Sequence, residues 1–87
     1  MKDPYKIIKH PISTEKAVKL MESQNKLTFI VNKDASKTEI KDAIQSVFKV
    51  KIIDVNTVIL PSGQKKAYIK LSPENPAIDV ATKLGLI

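Results

Sequence analysis

The sequence has no cysteine, no arginine and no tryptophan, and its 87 residues include only two glycines and one histidine. Without cysteine there is no disulfide, no thiol nucleophile and no cysteine-based zinc or iron–sulfur site. Gly63 and Gly85 stand too far apart to form a glycine-rich phosphate loop. No apolar run approaches the roughly 20 residues that span a membrane. We therefore expect a soluble, intracellular protein without membrane insertion, metal, cofactor or small-molecule substrate.

The charge of the chain is strongly basic. It carries 15 lysines against nine acidic residues, a net charge of +6 and a pI near 9.6. This excess indicates a polyanionic partner, nucleic acid before anionic lipid, although a lysine-rich but ordinary surface is an alternative. Because lysine acts as a point charge on phosphate, whereas arginine makes bidentate contacts to guanine, we expect backbone and shape readout to dominate over base readout.

Three segments have the pattern of helices. The first runs from residue 13 or 14 to about residue 23. The second is opened by a capping box of Ser36 and Glu39, and apolar residues at helical spacing continue to residue 48. In the third, Asn75 is the predicted N-cap and Pro76 the first helical residue.

Strands are predicted between these helices. The residues between Pro4 and Pro11 can form only a short edge strand or an extended arm. Further strands are predicted over residues 27–31, 50–60 and 65–71, with a turn at 61–64 joining the last two into a hairpin. The order, a weak strand followed by α-β-α-β-β-α, predicts an α+β sandwich with a mostly antiparallel sheet, in a single domain over residues 1–87.

No catalytic constellation is visible. His10 lies beside Pro11 without the serine and acid that a triad needs, and the acids are scattered among lysines rather than paired. An acylphosphatase-like enzyme would need an arginine for its phosphate. A small ferredoxin-like regulatory module that binds a ligand is the alternative of another class, but such modules need no strong basic excess. We predict that the protein is not an enzyme.

The last strand predicts a basic face. Lys66, Tyr68 and Lys70 point to one side of the sheet, the apolar residues between them point to the other, and Lys65 lies at the mouth of the stripe. Phosphates can contact the ammonium groups while a base or ribose lies on the tyrosine ring. An ordinary solvated face with one exposed tyrosine is an equally good interpretation of this stripe alone.

Two other features are candidates for nucleic-acid contact. Asn56 and Thr57 interrupt a β-branched strand, which indicates either a functional role or the satisfaction of a backbone group. The second feature is a group of lysines near the N-terminus, Lys6, Lys9, Lys16 and Lys19. An extended arm followed by the start of a helix can place these charges along a phosphate backbone. A merely solubilising arm is the alternative.

Four ordered motifs resemble one known family. Residues 10–17 (HPISTEKA) resemble the opening of the universal large-subunit ribosomal protein family numbered twenty-three, in which a proline is followed closely by Ser/Thr-Glu-Lys. Residues 33–41 resemble the entry to that family's second helix, residues 50–57 its V-x-x-V-N-T strand, and residues 65–71 its final strand. The resemblance covers nearly the whole chain in the expected order.

The resemblance implies a structural protein of the large ribosomal subunit in the cytoplasm. Members bind domain III of the large-subunit rRNA at the rim of the polypeptide exit tunnel, beside the small ribosomal protein numbered twenty-nine. They also help to form the docking site for the signal recognition particle and nascent-chain factors, and the docking glutamate maps onto Glu15. Its alternative role is that of a first-turn acid favoured by the helix dipole. The rRNA-binding side maps onto Lys6, Lys9, His10, Lys16, Lys19, Asn56, Thr57, Lys65, Lys66, Tyr68 and Lys70.

Two departures from the family pattern predict the archaeal type. Bacterial members carry a long basic hairpin loop where this sequence has only residues 61–64, so a tunnel-lining role for that loop is in doubt. Eukaryotic members carry a long basic N-terminal extension, whereas this sequence starts almost at the first motif.

Overall fold

A four-stranded sheet organises the molecule. In the computed structural model, which describes residues 4–85, the strand order is β1-β2-β4-β3 and every neighbouring pair is antiparallel. The elements are α1 (Pro4–Ile7), β1 (Ile8–Pro11), α2 (Glu15–Gln24), β2 (Lys26–Val31), α3 (Lys37–Phe48), β3 (Ile52–Ile59), β4 (Lys65–Leu71) and α4 (Ala77–Lys83). The α+β class and the antiparallel sheet predicted from the sequence are confirmed.

The hydrophobic core lies on one face of this sheet. Consecutive strand residues point to opposite faces, and the odd-numbered residues of the central strands, 27–31 in β2 and 67–71 in β4, are all buried. Helix α3 covers them with Ile40, Ala43 and Ile44, and Phe48 at its end stacks on Phe29 with ring centroids 5.9 Å apart. Each large side chain buried in this way contributes about 1.5–3 kcal/mol.

The two long helices begin at the predicted caps. Thr14 is the N-cap of α2, and its hydroxyl accepts an N–H of the first turn. In α3 the Ser36 hydroxyl accepts the Glu39 N–H while the Glu39 carboxylate accepts the Ser36 N–H, both at 3.1 Å. The capping box is therefore confirmed. At its other end α3 stops at Lys49, which adopts the left-handed conformation (φ 55°) usually taken by glycine.

The N-terminal segment differs from its prediction. Residues Pro4–Ile7 form one helical turn instead of an extended arm, and only Ile8–Pro11 form the edge strand. The turn forms because Ile7 is buried in the core and α1 packs against α3. Proline is tolerated at the start of a helix because its missing N–H would have no partner there.

The start of α4 is set by a side chain from a distant segment. Asn25, in the left-handed conformation after α2, accepts the Ala77 N–H through Oδ1 at 2.6 Å. Its Nδ2 lies 3.2 Å from each of the carbonyls of Leu71, Ser72 and Asn75, which therefore share its two hydrogens. The prediction that Asn75 caps α4 was wrong by one residue: the N-cap is the next residue, and Asn25 supplies the missing acceptor.

The connection between β3 and β4 is as short as predicted. The Leu60 N–H donates to the Gln64 carbonyl, and the Gly63 N–H donates to the Leu60 carbonyl, both at 2.8 Å. Gly63 has φ 90°, a conformation that costs a residue without a side chain little. This tight turn fixes the register of the hairpin and hence the residues that share each face of β4.

Candidate nucleic-acid interface

The candidate interface is the outer face of the sheet, which points away from the core. Residues that pair directly across antiparallel strands project to the same face, so the strand register defines this face without ambiguity. Across β2, β4 and β3 it consists of three rungs, Lys26–Lys70–Asp54, Thr28–Tyr68–Asn56 and Ile30–Lys66–Val58. His10 of β1 pairs with Ile30 and extends the third rung. The predicted alternation of Lys66, Tyr68 and Lys70 is confirmed.

The Lys66 ammonium lies against the Tyr68 ring. Its Nζ is 5.2 Å from the ring centroid, within the range of a cation–π contact. Both side chains are half-buried, whereas Lys70 is exposed. Among the described residues, no carboxylate forms an ion pair with Lys26, Lys66 or Lys70. The outer face therefore offers cations without ion-pair partners around one aromatic ring.

A groove of about 680 Å³ runs between α2 and the outer face. Its floor includes Thr28, Lys66 and Tyr68, and its wall is the side of α2 that carries Lys16 and Lys19. Both of these α2 lysines were predicted as RNA contacts, and the groove brings them together with the β4 stripe. It also includes Glu15, at the start of α2. The groove thus brings together residues predicted for two roles, RNA binding and protein docking.

Thr28 has an unusual position on the floor of that groove. The residue is only 4% exposed, and its Oγ1 has no hydrogen-bond partner in the structure. A buried hydroxyl without a partner costs about 1–3 kcal/mol. Sequence reasoning missed this residue, because an alternating strand with one threonine gives no sign that α2 will cover it.

Asn56 has a local partner in the strand. It lies on the outer face opposite Tyr68, and its Nδ2 donates to the Asp54 carboxylate at 3.3 Å. The other oxygen of Asp54 accepts the Val55 N–H at 2.9 Å. The exposed Asn56 thus bonds a neighbouring side chain, which accounts for a polar residue within this edge strand.

Two predicted contact residues project away from the outer face. Thr57 pairs with Ala67 and therefore belongs to the core side of β3. Lys65 also belongs to that side, and its ammonium donates to the Ala35 carbonyl at 2.8 Å. The sequence predicted Lys65 at the mouth of the stripe, but the alternation of the strand directs its side chain to the loop before α3.

The N-terminal cations are distributed over different parts of the fold. Lys6 is exposed on α1, which packs against α3 on the core side of the sheet. Lys9 and His10 are exposed on β1, where a register shift falls between Ile8 and His10. The His10 Nδ1 lies 3.2 Å from the Pro11 carbonyl. Only His10 of these three shares a rung with the outer face.

Other kinds of site find no support within residues 4–85. There, no group of three or more histidine and acidic side chains is close enough to hold a metal ion. In the same range, no helix has the length and apolar character required to cross a membrane.

Comparison with known proteins identifies the family. The model of the family described as Ribosomal protein L23 matches residues 6–79. The chain is 52% identical over 85 residues to the large ribosomal subunit protein uL23 of Trypanosoma brucei brucei, covering 98% of this chain and 52% of that protein. It is 48% identical over 85 residues to the large ribosomal subunit protein uL23A of Caenorhabditis elegans, covering 98% of this chain and 58% of that protein.

The chain therefore spans about half the length of the curated relatives it matches. The family consists of ribosomal proteins, which are structural and not enzymes, in agreement with the absence of a catalytic constellation in the sequence. Because the family model covers most of the chain and both relatives align along almost all of it, the chain belongs to the ribosomal protein L23 family.

Proposed function

We propose that this chain is a structural constituent of the large ribosomal subunit in the cytoplasm, and that it binds large-subunit rRNA through the outer face of its sheet. Family membership supports the ribosomal role. The observation that carries the RNA-binding role is the stripe of Lys66, Tyr68 and Lys70 along the outer face of β4, whose two lysines form no ion pair. The ferredoxin-like regulatory alternative has no observation in its favour.

The chemistry of the stripe suits a phosphate backbone. Lysine ammonium groups neutralise phosphates and release condensed counterions, so the affinity of such an interface falls steeply with salt. The α2 lysines Lys16 and Lys19 border the same groove and add to the positive potential. With no arginine in the chain, the interface depends on point charges and on stacking, not on bidentate base contacts.

The first test is binding of the chain to domain III of large-subunit rRNA at increasing salt. We expect log K to fall linearly with log salt, with a slope of several units if about four to six phosphates are contacted. Replacing Lys66, Tyr68 and Lys70 together by alanine should weaken binding at least tenfold without unfolding the domain. The control is Lys41→Ala with Lys83→Ala, which removes two exposed lysines from α3 and α4. A flat salt dependence, or equal losses in the two variants, would contradict the proposal.

The location within the subunit is a second part of the proposal. The family resemblance supports a position at the rim of the polypeptide exit tunnel, beside the small ribosomal protein numbered twenty-nine. The short turn between β3 and β4 argues against the bacterial type with its tunnel-lining hairpin loop. Co-sedimentation with large subunits, followed by crosslinking to proteins and rRNA at the rim, tests this position. Crosslinks confined to a distant part of the subunit would disprove it.

Glu15 is the proposed docking residue for the signal recognition particle. It is exposed, and it occupies the end of the groove wall next to Lys16, so a protein partner can reach it from outside. Glu15→Ala should leave incorporation into subunits intact while lowering the affinity of the signal recognition particle for them. Loss of the variant from ribosomes would show that Glu15 serves assembly instead.

A further inference from the structure

Two lysines lie directly opposite each other on the outer face, and neither forms an ion pair. Lys26 of β2 pairs directly with Lys70 of β4, which puts their Cβ atoms about 4.5–5.5 Å apart on the same side of the sheet. Like charges in this position are destabilising. On the other flank of Lys70 lies Asp54, which forms no ion pair with it, because its oxygens accept the Val55 N–H and the Asn56 amide instead. A bound anion would relieve the repulsion.

We propose that Lys26 and Lys70 together bind one phosphate of a single RNA strand that runs along β4. Tyr68 stacks on a base of that strand, and Lys66 contacts another of its phosphates. This inference rests on the proposed rRNA binding and specifies the form of RNA that the outer face recognises. It also adds Lys26, which sequence reasoning did not select.

The spacing of the stripe fits this arrangement. Lys70 lies four positions after Lys66, a distance of about 14 Å along an extended strand, with Tyr68 midway. The Lys66 ammonium is 5.2 Å from the centre of the Tyr68 ring, close enough for one nucleotide to reach both. The lysine pair then lies further along the same line, within reach of a following phosphate.

An aromatic ring between the cations distinguishes a single strand from other anions. In an A-form duplex the bases are stacked inside the helix and cannot lie on a protein side chain, whereas single-stranded bases splay out and stack on aromatic rings. An acidic protein would satisfy the lysines but has no base to place on Tyr68. The groove wall formed by α2 flanks the ring and leaves a channel suited to a narrow ligand.

The experiment compares Lys26→Gln, Lys70→Gln and the double variant with the control Lys41→Gln, which removes an exposed charge from α3. Fluorescence anisotropy measures binding of a labelled single-stranded oligoadenylate, and of the same strand paired with oligouridylate, over a range of salt. We expect each single variant to lose affinity several-fold and to lower the salt slope by about 0.7. If both lysines hold one phosphate, the double variant should lose less than the product of the single losses.

Stability provides an independent readout. Because Lys26→Gln removes a like-charge repulsion, the melting temperature of the free protein at low salt should rise or stay unchanged. Bound oligoadenylate should raise the melting temperature of the unaltered chain more than that of the variant. A purely structural role for Lys26 predicts the reverse pattern, a lower melting temperature with unchanged affinity.

Several outcomes would overturn the inference: Lys26→Gln binding as tightly as Lys41→Gln, multiplicative losses in the double variant, or duplex binding as tight as the single strand. Displacement of the oligonucleotide by polyglutamate at equal charge would indicate an acidic protein partner instead. If the chain binds rRNA with a steep salt dependence but Lys26→Gln has no effect, only this inference fails. If the unaltered chain shows no salt-dependent rRNA binding, the proposed function itself fails.

Discussion

The two faces of β4 share one backbone but differ in the burial and polarity of their side chains. Ala67, Ile69 and Leu71 are at most 1% exposed and pack under the helices, whereas Tyr68 is half-buried at the groove and Lys70 is exposed. Both faces share the same backbone hydrogen bonds to β2 and β3, but the side chains alternate, so that one packs in the core and the next lies on the outer face. A single strand thus separates buried core from surface at the spacing of one residue.

The largest expected effect comes from the core side of this comparison. Ile69→Ala removes a fully buried side chain, and we expect the free energy of unfolding to fall by about 3 kcal/mol, measured by urea denaturation. Its neighbour Lys70 is exposed, so Lys70→Ala should change stability by less than about 0.5 kcal/mol. In an rRNA-binding assay of the folded variants, Lys70→Ala should lose more affinity than Ile69→Ala. Similar losses of stability in both variants would contradict the claim that only the core face of β4 contributes to stability.

An intermediate effect is expected where the sheet meets α4. Asn25→Ala leaves the Ala77 N–H without its acceptor and the three carbonyls without their donor, so we expect a loss of about 2 kcal/mol in thermal or urea unfolding. Asn25→Gly serves as the control, because glycine retains the left-handed conformation and should recover part of the loss. Unchanged stability in the alanine variant would mean that water replaces these hydrogen bonds.

The smallest effect tests the covered part of the outer face. Thr28→Val replaces a buried hydroxyl without a partner by a methyl group of the same shape, and should leave stability unchanged or raise it by up to about 1 kcal/mol. The same substitution at Thr14 removes the N-cap of α2 and should cost about 1 kcal/mol. Differential scanning calorimetry distinguishes the unchanged or raised stability expected for Thr28→Val from the loss expected for Thr14→Val. A clear loss in Thr28→Val would indicate that its hydroxyl is hydrated or bonded in solution.

Local patterns were sufficient for most of the fold. The capping box of Ser36 and Glu39, the alternation in β4 and the turn around Gly63 each depend on residues a few positions apart, so their physical causes can be recognised in the sequence. The helical turn of α1 was missed because it depends on burial of Ile7 against α3, a contact between segments distant in the chain.

The candidate site was predictable only in part, for the same reason. Alternation correctly grouped Lys66, Tyr68 and Lys70, but alternation within one strand cannot say which residue of another strand lies opposite. The pairing of Lys26 with Lys70 follows from the register of β2 against β4. The register likewise decided that Asn56, and not its neighbour Thr57, lies beside Tyr68 on the outer face.

The sequence by itself determined the class of the fold, the excess of positive charge and the absence of cysteine or arginine chemistry, because these depend on composition and on short-range periodicity. Its four ordered motifs also carried the resemblance to the family. Tertiary structure decided which charges act together. Strand register placed Lys26 beside Lys70, helix packing brought Glu15 to the groove that holds Tyr68, and the Ala35 carbonyl took the ammonium of Lys65. Electrostatic interaction depends on distance in space, and only the packed chain sets that distance.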